Sequence, residues 1–199
     1  MSLYAYNHGI GPHAQETKQD MVTIPFPGNV ASSKSLSTPV SSRTVARFMI
    51  YASLHAETCG DGKLFNIADN EKPCTFGEIW PQLAGWFGLT GLGPAENSSA
   101  QDNSSTFEVG ELPQSTPHLT PGEYIAQNKG IFTQNGCEKA VRGGVGAGNR
   151  QLDSVGYWLT FDRQMSLQRL RETGFDEERD AVQGWLESFA MFRRARLIL

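Results

Sequence analysis

The sequence predicts an α-rich α/β domain with few strands, and three stretches carry that prediction. Residues 63–88, "KLFNIADNEKPCTFGEIWPQLAGWFG", read as a strand, a turn and a helix, the unit that closes one edge of an α/β sheet. Residues 41–55, "SSRTVARFMIYASLH", place Val45, Phe48, Met49 and Ala52 in one apolar stripe at helical spacing. A third amphipathic stretch, "DEERDAVQGWLESFAMFRR", follows near the end of the chain.

In chain order, "MSLYAY" reads as the last turn of a helix or a frayed start. "VTIPFPGN" (22–29) has β-branched residues before two prolines and a glycine, which predicts a short edge strand ending in a turn. Ser41 or Ser42 is placed to cap the 41–55 helix by accepting a free first-turn N–H. "LFNIAD" (64–69) is apolar too continuously for a half-exposed strand and predicts one buried on both faces. Thr75 and Glu78 have capping-box spacing, and Phe76, Ile79, Trp80, Leu83, Trp86 and Phe87 then share a helical face that Gly88 ends. Pro81, in the second turn, predicts a small kink.

Residues 93–120 are rich in Ser, Asn, Glu and Pro and read as a polar loop insertion. A short helix is predicted over 121–137, with Pro121 in its first turn, and a flexible loop over 142–151. "DSVGYWLTFDRQM" (153–165) reads as an aromatic helix. Ser166 caps "LQRLRET" and Gly174 ends it. In the final helix Val182, Trp185, Leu186, Phe189 and Phe192 share a face, with an acidic first turn and a basic last turn that suit the helix dipole.

Composition narrows the function classes. At 199 residues with 39% hydrophobic residues, the chain is long enough to bury a core as one domain over 1–199. A net charge of −4 leaves no basic surplus for phosphates, which argues against nucleic acid or an anionic membrane as partner. Three cysteines without a CxxC pair read as free thiols in a reducing, cytoplasmic setting. Neither a signal peptide nor an apolar run long enough for a membrane span is expected.

Motifs exclude more than they assign. The run "GGVGAGNR" has Asn149 where a dinucleotide fingerprint needs its third glycine, and "CEKAVR" before it is no buried strand, so a loop is the expectation. A redox Tyr-x-x-x-Lys dyad is missing: Tyr124 and Lys129 are five apart, which turns their side chains about 140° away from each other on a helix. No G-x-S-x-G elbow is present. His8, His13 and Glu16 lack a helical ligand spacing, so no metal is expected. His55 is expected to bond helix-end carbonyls; His118 is a weak acid–base candidate in the polar loop; Asp162 reads as a cap or ion-pair partner. Tyr157, Trp158, Phe161 and Met165 make one apolar face, suited either to core packing or to a pocket for a bulky hydrophobic ligand.

Taken together, "IPFPG", "ARFMIYASLH", "LFNIADNEKPCTFGEIWPQLAGWFGLTGLGP", "PGEYI" and "SVGYWLTFDRQMSLQRLRETGF" resemble the C-terminal half of PRISE-like short-chain dehydrogenases. These are the progesterone 5-beta-reductase and iridoid synthase relatives, especially the fungal ones. The resemblance covers most of residues 2 to 199, apart from the 95–118 loop and the glycine-rich stretch. It implies a remnant of a Rossmann-type fold with a mostly helical substrate-binding part. It also implies NADPH-dependent reduction of activated alkenes, but the family's glycine-rich loop and catalytic tyrosine and lysine belong to its N-terminal half. No cofactor site is therefore expected here, none of those catalytic residues carries over, and the catalytic residues stay unassigned. The substrate side carries over: Tyr157, Trp158, Phe161 and Met165, with Trp80 and Asn66, are expected to bind a hydrophobic small molecule, and Asp69 stands behind them.

Two functions follow as expectations. Because the chain starts at a methionine and reaches a family-like end, the first is a stand-alone, cofactor-independent cyclase or isomerase for a polyene or terpenoid-like metabolite, for example a Diels–Alder cyclisation in fungal secondary metabolism. Holding reacting ends together removes up to about 7–11 kcal/mol of barrier in favourable cases. The alternative is an inactive fragment or split half of an NADPH-dependent ene-reductase, or a non-catalytic hydrophobic-ligand binder. An apolar face left by a missing sheet is expected to be covered, with a homodimer as one way to do so.

Overall fold

A computed structural model describes residues 1–10, 22–94, 121–142 and 159–199. The architecture is α-rich with short strands. Helix α1 (Ser2–Asn7) precedes β1 (Thr23–Phe26), α2 (Val30–Lys34) and β2 (Leu36–Ser37). Next come α3 (Ser42–Leu54), α4 (Ala56–Cys59), β3 (Cys74–Thr75), α5 (Phe76–Gly85) and β4 (Thr90–Pro94). Helices α6 (Pro121–Gln134), α7 (Glu138–Arg142), α8 (Gln168–Glu172) and α9 (Ala181–Arg194) complete the described elements.

Strand β1 forms where the sequence predicts it and pairs in parallel with β4, Thr23 opposite Thr90 and Ile24 opposite Gly91. Pro25 is exposed, and the register shifts between it and Phe26. Helix α5 packs across this pair. Gly91 lets it approach closely: a Cβ there would sit 2.9 Å from Pro81 Cα and from Trp80 Cδ1. The Thr75–Glu78 capping box forms in full, and Ile79, Trp80, Leu83 and Ala84 are buried. Gly88 turns the chain out of the helix at φ 74°, a conformation glycine adopts without a Cβ penalty. Ala84, Phe87 and Leu89 pack with Ala5 and Ile10, and Phe189 of α9 lies against them.

A second core joins Phe48 of α3 to Ala68, Leu167, Leu170 and Phe175. Ser41 caps α3 as expected, accepting from Thr44 N–H. The apolar stripe is narrower than the sequence predicts: Phe48 is buried but Met49 is 65% exposed, because Thr44 rather than Met49 faces the interior.

Three further expectations are corrected. Residues 64–69 do not form a doubly buried strand: among the described residues no strand runs beside them, so their backbone has no ladder. Leu64 is 80% exposed, and burial is reached only at Ala68 and Asp69. Residues 159–165 are not helical; they run along residues 35–38 instead, while 153–158 lie outside the described residues. Finally, α9 starts only at Ala181, capped by Asp180, so the acidic residues predicted in its first turn precede it. Two of them, Glu177 and Glu178, pair with Arg47 and Arg171 instead. Trp185 and Phe192 on the predicted buried face are partly exposed. The expected polar loop is confined by β4, which takes up Gly93 and Pro94; residues 95–120 and 143–158 lie outside the described set.

Candidate functional site

Residues 35–38 and 159–166 form one seam, built from backbone bonds between segments more than 120 residues apart in sequence. Arg163 N–H donates to Leu36 O at 2.7 Å, and Arg163 bridges Ser37 in parallel register. Asp162 accepts from Leu36 N–H at 2.9 Å, a bond to a sequence-distant strand in place of the helix cap or ion pair expected of it. Ser35 Oγ donates to Leu159 O at 2.8 Å, and Met165 N–H donates to Thr38 Oγ1 at 3.1 Å. On its other edge β2 pairs antiparallel with β3, Leu36 opposite Thr75.

Two of the residues expected on the substrate side, Phe161 and Met165, lie on this seam, and a third, Asn66, bonds to its end. Phe161 lies 61% exposed beside the Arg163 guanidinium, 6.0 Å from its ring centroid. Met165 is half-buried, and Asn66 Nδ2 donates to Ser166 O at 3.0 Å. Trp80 sits elsewhere, in the core between α5 and β1, with its indole N–H on Ile24 O at 3.3 Å and its ring edge-on to Phe26. Tyr157 and Trp158 lie outside the described residues, as do His13, Glu16 and His118. His55 bonds Tyr51 O at 2.8 Å at the end of α3, as expected, and His8 bonds Tyr4 O in the same way. Among the described residues no group of three or more His, Cys, Asp or Glu is placed to hold a metal.

Asp69 is 1% exposed and fully engaged. Its Oδ1 accepts from Ser41 Oγ at 2.7 Å and Thr44 Oγ1 at 2.5 Å, and its Oδ2 accepts from Ser41 N–H at 3.0 Å. Arg179 N–H donates to the Asp69 carbonyl, and its guanidinium reaches Ser41 Oγ and Glu187. The carboxylate thus fixes the N-terminus of α3 against residue 69, while the Asp69 carbonyl and the Arg179 guanidinium carry the link toward α9. The hydrogen bond from Arg179 holds Glu187 below the usual carboxylate range.

Sequence reasoning missed Arg163. Its Nε donates to Phe161 O at 3.4 Å, while Nη2 is sealed from solvent and meets no acceptor. Burial pulls the guanidinium pKa below its ordinary value. Ser32 Oγ, buried three residues before Ser35, is likewise without a partner.

A dinucleotide cofactor needs a glycine turn that presents free amides at a strand's carboxyl end. After β1 the chain turns through Gly28 into the five-residue α2, where Ser32 N–H is already taken by Asn29 Oδ1 at 2.8 Å. Two tyrosine hydroxyls are held by structural partners: Tyr51 donates to Thr173 O, and Tyr124 accepts from Asn7. The turn after β1 therefore does not present the free amides that such a cofactor takes.

The PRISE-like Rossmann-fold domain matches residues 12–199. The short chain dehydrogenase sirS of Leptosphaeria maculans is 27% identical over all of this chain but only 44% of its own length. The short chain dehydrogenase ausT of Aspergillus calidoustus is 27% identical over 42% of its length, and sirR of Leptosphaeria maculans 26% over 44%. The chain therefore spans less than half the length of these relatives. With the matched domain covering nearly all of it, the chain belongs to the PRISE-like Rossmann-fold family of short-chain dehydrogenases.

Proposed function

We propose that the chain is the substrate-side portion of a short-chain dehydrogenase. It holds a hydrophobic, terpenoid-like metabolite at the 35–38/159–166 seam, while a nucleotide-binding portion supplies NADPH. The observation that carries this reading is the run 64–69, extended and apolar at its start yet lacking a ladder partner among the described residues. The outer face of α3 adds Met49, Ile50 and Leu54, each more than 60% exposed. Such a surface suits the edge of a sheet supplied elsewhere. The relatives, more than twice the length of the matched region, have sequence enough for that sheet.

The test is complementation. The 199-residue chain is co-expressed with the part of sirS that lies outside the matched region, and the mixture is assayed for complex formation and for NADPH oxidation with carvone, a bulky enone. A complex that oxidises NADPH, where neither piece does alone, supports the reading. Absence of any complex, with the isolated chain melting sharply, sinks it. A homodimer would appear in the same size-exclusion run as a second copy covering the exposed face.

A second reading draws on the seam, where Phe161 and Met165 lie and Asn66 bonds Ser166 O. On that reading the chain alone is a cofactor-independent cyclase or isomerase for a polyene or terpenoid-like metabolite in fungal secondary metabolism. Its test is a mass-neutral product from the purified chain and a linear polyene; recovery of every polyene unchanged counts against it.

A further inference from the structure

The sequence holds one Asn-Gly pair, Asn135–Gly136, and the fold places it at the end of α6. An asparagine amide followed by glycine is open to attack by the next backbone nitrogen, because glycine brings no Cβ to crowd the ring that forms. Helix α6 ends in a Schellman turn: Gly136 N–H donates to Thr133 O at 3.1 Å and Cys137 N–H to Phe132 O at 2.7 Å, with Gly136 at φ 68°. Both residues of the pair are exposed. Asn135 Nδ2 donates to Ile131 O at 2.8 Å and to the Tyr6 hydroxyl at 3.1 Å, so the amide locks the last turn and joins it to α1. A cation stands beside the pair. A Cβ on Gly136 would lie 3.2 Å from Arg196 Nη1. Arg196 holds φ 57°, a conformation rare for a residue with a Cβ, and forms no ion pair among the described residues. The two segments are tied next to this point, where the buried Cys137 thiol donates to Ile198 O at 3.7 Å.

We propose that Asn135 is a site of slow self-modification to aspartate and isoaspartate, assisted by Arg196, and that the change unlocks the end of α6. The Gly136 backbone nitrogen, its proton lost to solvent base, attacks Asn135 Cγ and forms the N–C bond of a succinimide ring. The Cγ–Nδ2 bond breaks, and ammonia leaves with a proton taken from water. Water then opens the ring: cleavage at Cγ gives aspartate, and cleavage at the main-chain carbonyl gives isoaspartate. Arg196 lies where negative charge develops, first on the Gly136 nitrogen and then on the oxygen at Cγ. In the intact turn Thr133 O holds the Gly136 N–H, so the reaction runs when the last turn frays, as helix ends do. Cys137, buried and bonded to Ile198 O, keeps Gly136 beside Arg196 meanwhile. The product is wired differently. A carboxylate at 135 cannot donate to Ile131 O, it stands at the negative end of the α6 dipole, and it gains Arg196 as an ion-pair partner.

The experiment uses the purified 199-residue chain, incubated at neutral pH in heavy-oxygen water, then digested in ordinary water and mapped by mass spectrometry. Chromatography separates isoaspartate from aspartate. Label is expected in the 135–136 peptide at least about tenfold faster than at Asn66–Ile67 or Asn128–Lys129, where a side chain crowds the ring. Arg196→Met should slow it about two- to tenfold in the folded chain, and not at all in urea, where residue 196 is no longer held at the turn. Asn135→Asp, which supplies the product directly, should speed amide hydrogen exchange at Gly136 and Cys137. Labelling at Asn135 no faster than at Asn66 overturns the proposal. An Arg196→Met chain that reacts as fast as the native one, or is slowed equally in urea, overturns the role given to the arginine. Unchanged exchange in Asn135→Asp overturns the unlocking of α6. Failure of complementation with the nucleotide-binding portion would remove the reductase reading and leave this modification standing.

Discussion

Replacing Asp69 by asparagine tests whether one carboxylate staples the start of α3 to the end of the 64–69 run. Three donors converge on it: two hydroxyls on Oδ1, at 2.7 and 2.5 Å, and the Ser41 N–H on Oδ2 at 3.0 Å. Asparagine has one acceptor oxygen. If that oxygen keeps the hydroxyls, its NH2 faces the Ser41 N–H, donor against donor. If it turns round, two hydroxyls lose their acceptor. Either way one buried bond to a charged group is lost outright, worth about 1.5–3 kcal/mol, and the surviving bonds weaken to neutral ones. The sum is about 2–4 kcal/mol, a large share of a domain's stability. Urea unfolding should show a lower midpoint with an unchanged slope. Thr44→Val, which removes one donor, should cost about 1 kcal/mol alone and less in the Asp69→Asn background, because the two changes act on one network. A loss below about 0.5 kcal/mol for Asp69→Asn would refute this account of the carboxylate as a staple. An intact fold with lost ligand binding would instead return Asp69 to the substrate side.

Thr75→Ala removes the N-cap of α5 and should cost about 1 kcal/mol in urea unfolding, with Glu78→Gln costing less because Glu78 only returns a bond to the cap. Gly91→Ala pushes a methyl to 2.9 Å from Pro81 Cα, which is backbone and cannot yield, so it should cost about 1–3 kcal/mol by the same measurement. Stability should fall in acid. Glu78, bonded by the Thr75 amide and hydroxyl, Glu177, bonded by Arg47, and Glu187, bonded by Arg179, all titrate below the usual carboxylate value of 4.5. A depressed carboxylate contributes stability above its unfolded pKa and loses it as pH falls through the folded value, so the thermal midpoint should drop below about pH 4.5. The drop should shrink in Arg47→Met, which frees Glu177.

Local grammar was readable in the sequence because its partners lie within one helical turn. Ser41 with Thr44 and Thr75 with Glu78 are caps closed over three residues, and each forms. The turns at Gly88 and Gly174 are equally local, needing only a positive φ that glycine supplies. What was not readable depends on distant chain. Tyr157, Trp158, Phe161 and Met165 recur at helical spacing, yet residues 159–165 are held by Ser35, Leu36 and Thr38, whose bonds outweigh the local helical preference. Once that segment is taken as a helix, Arg163 falls on a solvated face and its buried, unpaired nitrogen goes unseen. Asp69 carried a faint signal, a carboxylate closing an apolar run, but its three donors lie 25 and 28 residues back.

The misread run 64–69 is also the most informative about how the chain works. Its apolar continuity is a sound strand signal, but a strand becomes one only beside another. The exposed side chains give a measure of what a covering sheet would gain. Burying Met49, Ile50, Leu54 and Leu64 at about 1.5–3 kcal/mol each gives about 6–12 kcal/mol. Bringing a separate partner to that surface costs about 4–15 kcal/mol in lost freedom. Side chains alone therefore support only a weak complex between separate chains, whereas a covering portion in the same polypeptide meets a much smaller entropic cost. A tight complex in trans would need the backbone of 64–69 to add ladder bonds. Amide hydrogen exchange separates these cases: slowed exchange at Phe65 and Ile67 on mixing with the nucleotide-binding portion means that the ladder forms. Unchanged exchange despite binding would mean that the outer face of α3, and not this run, is where the partner docks.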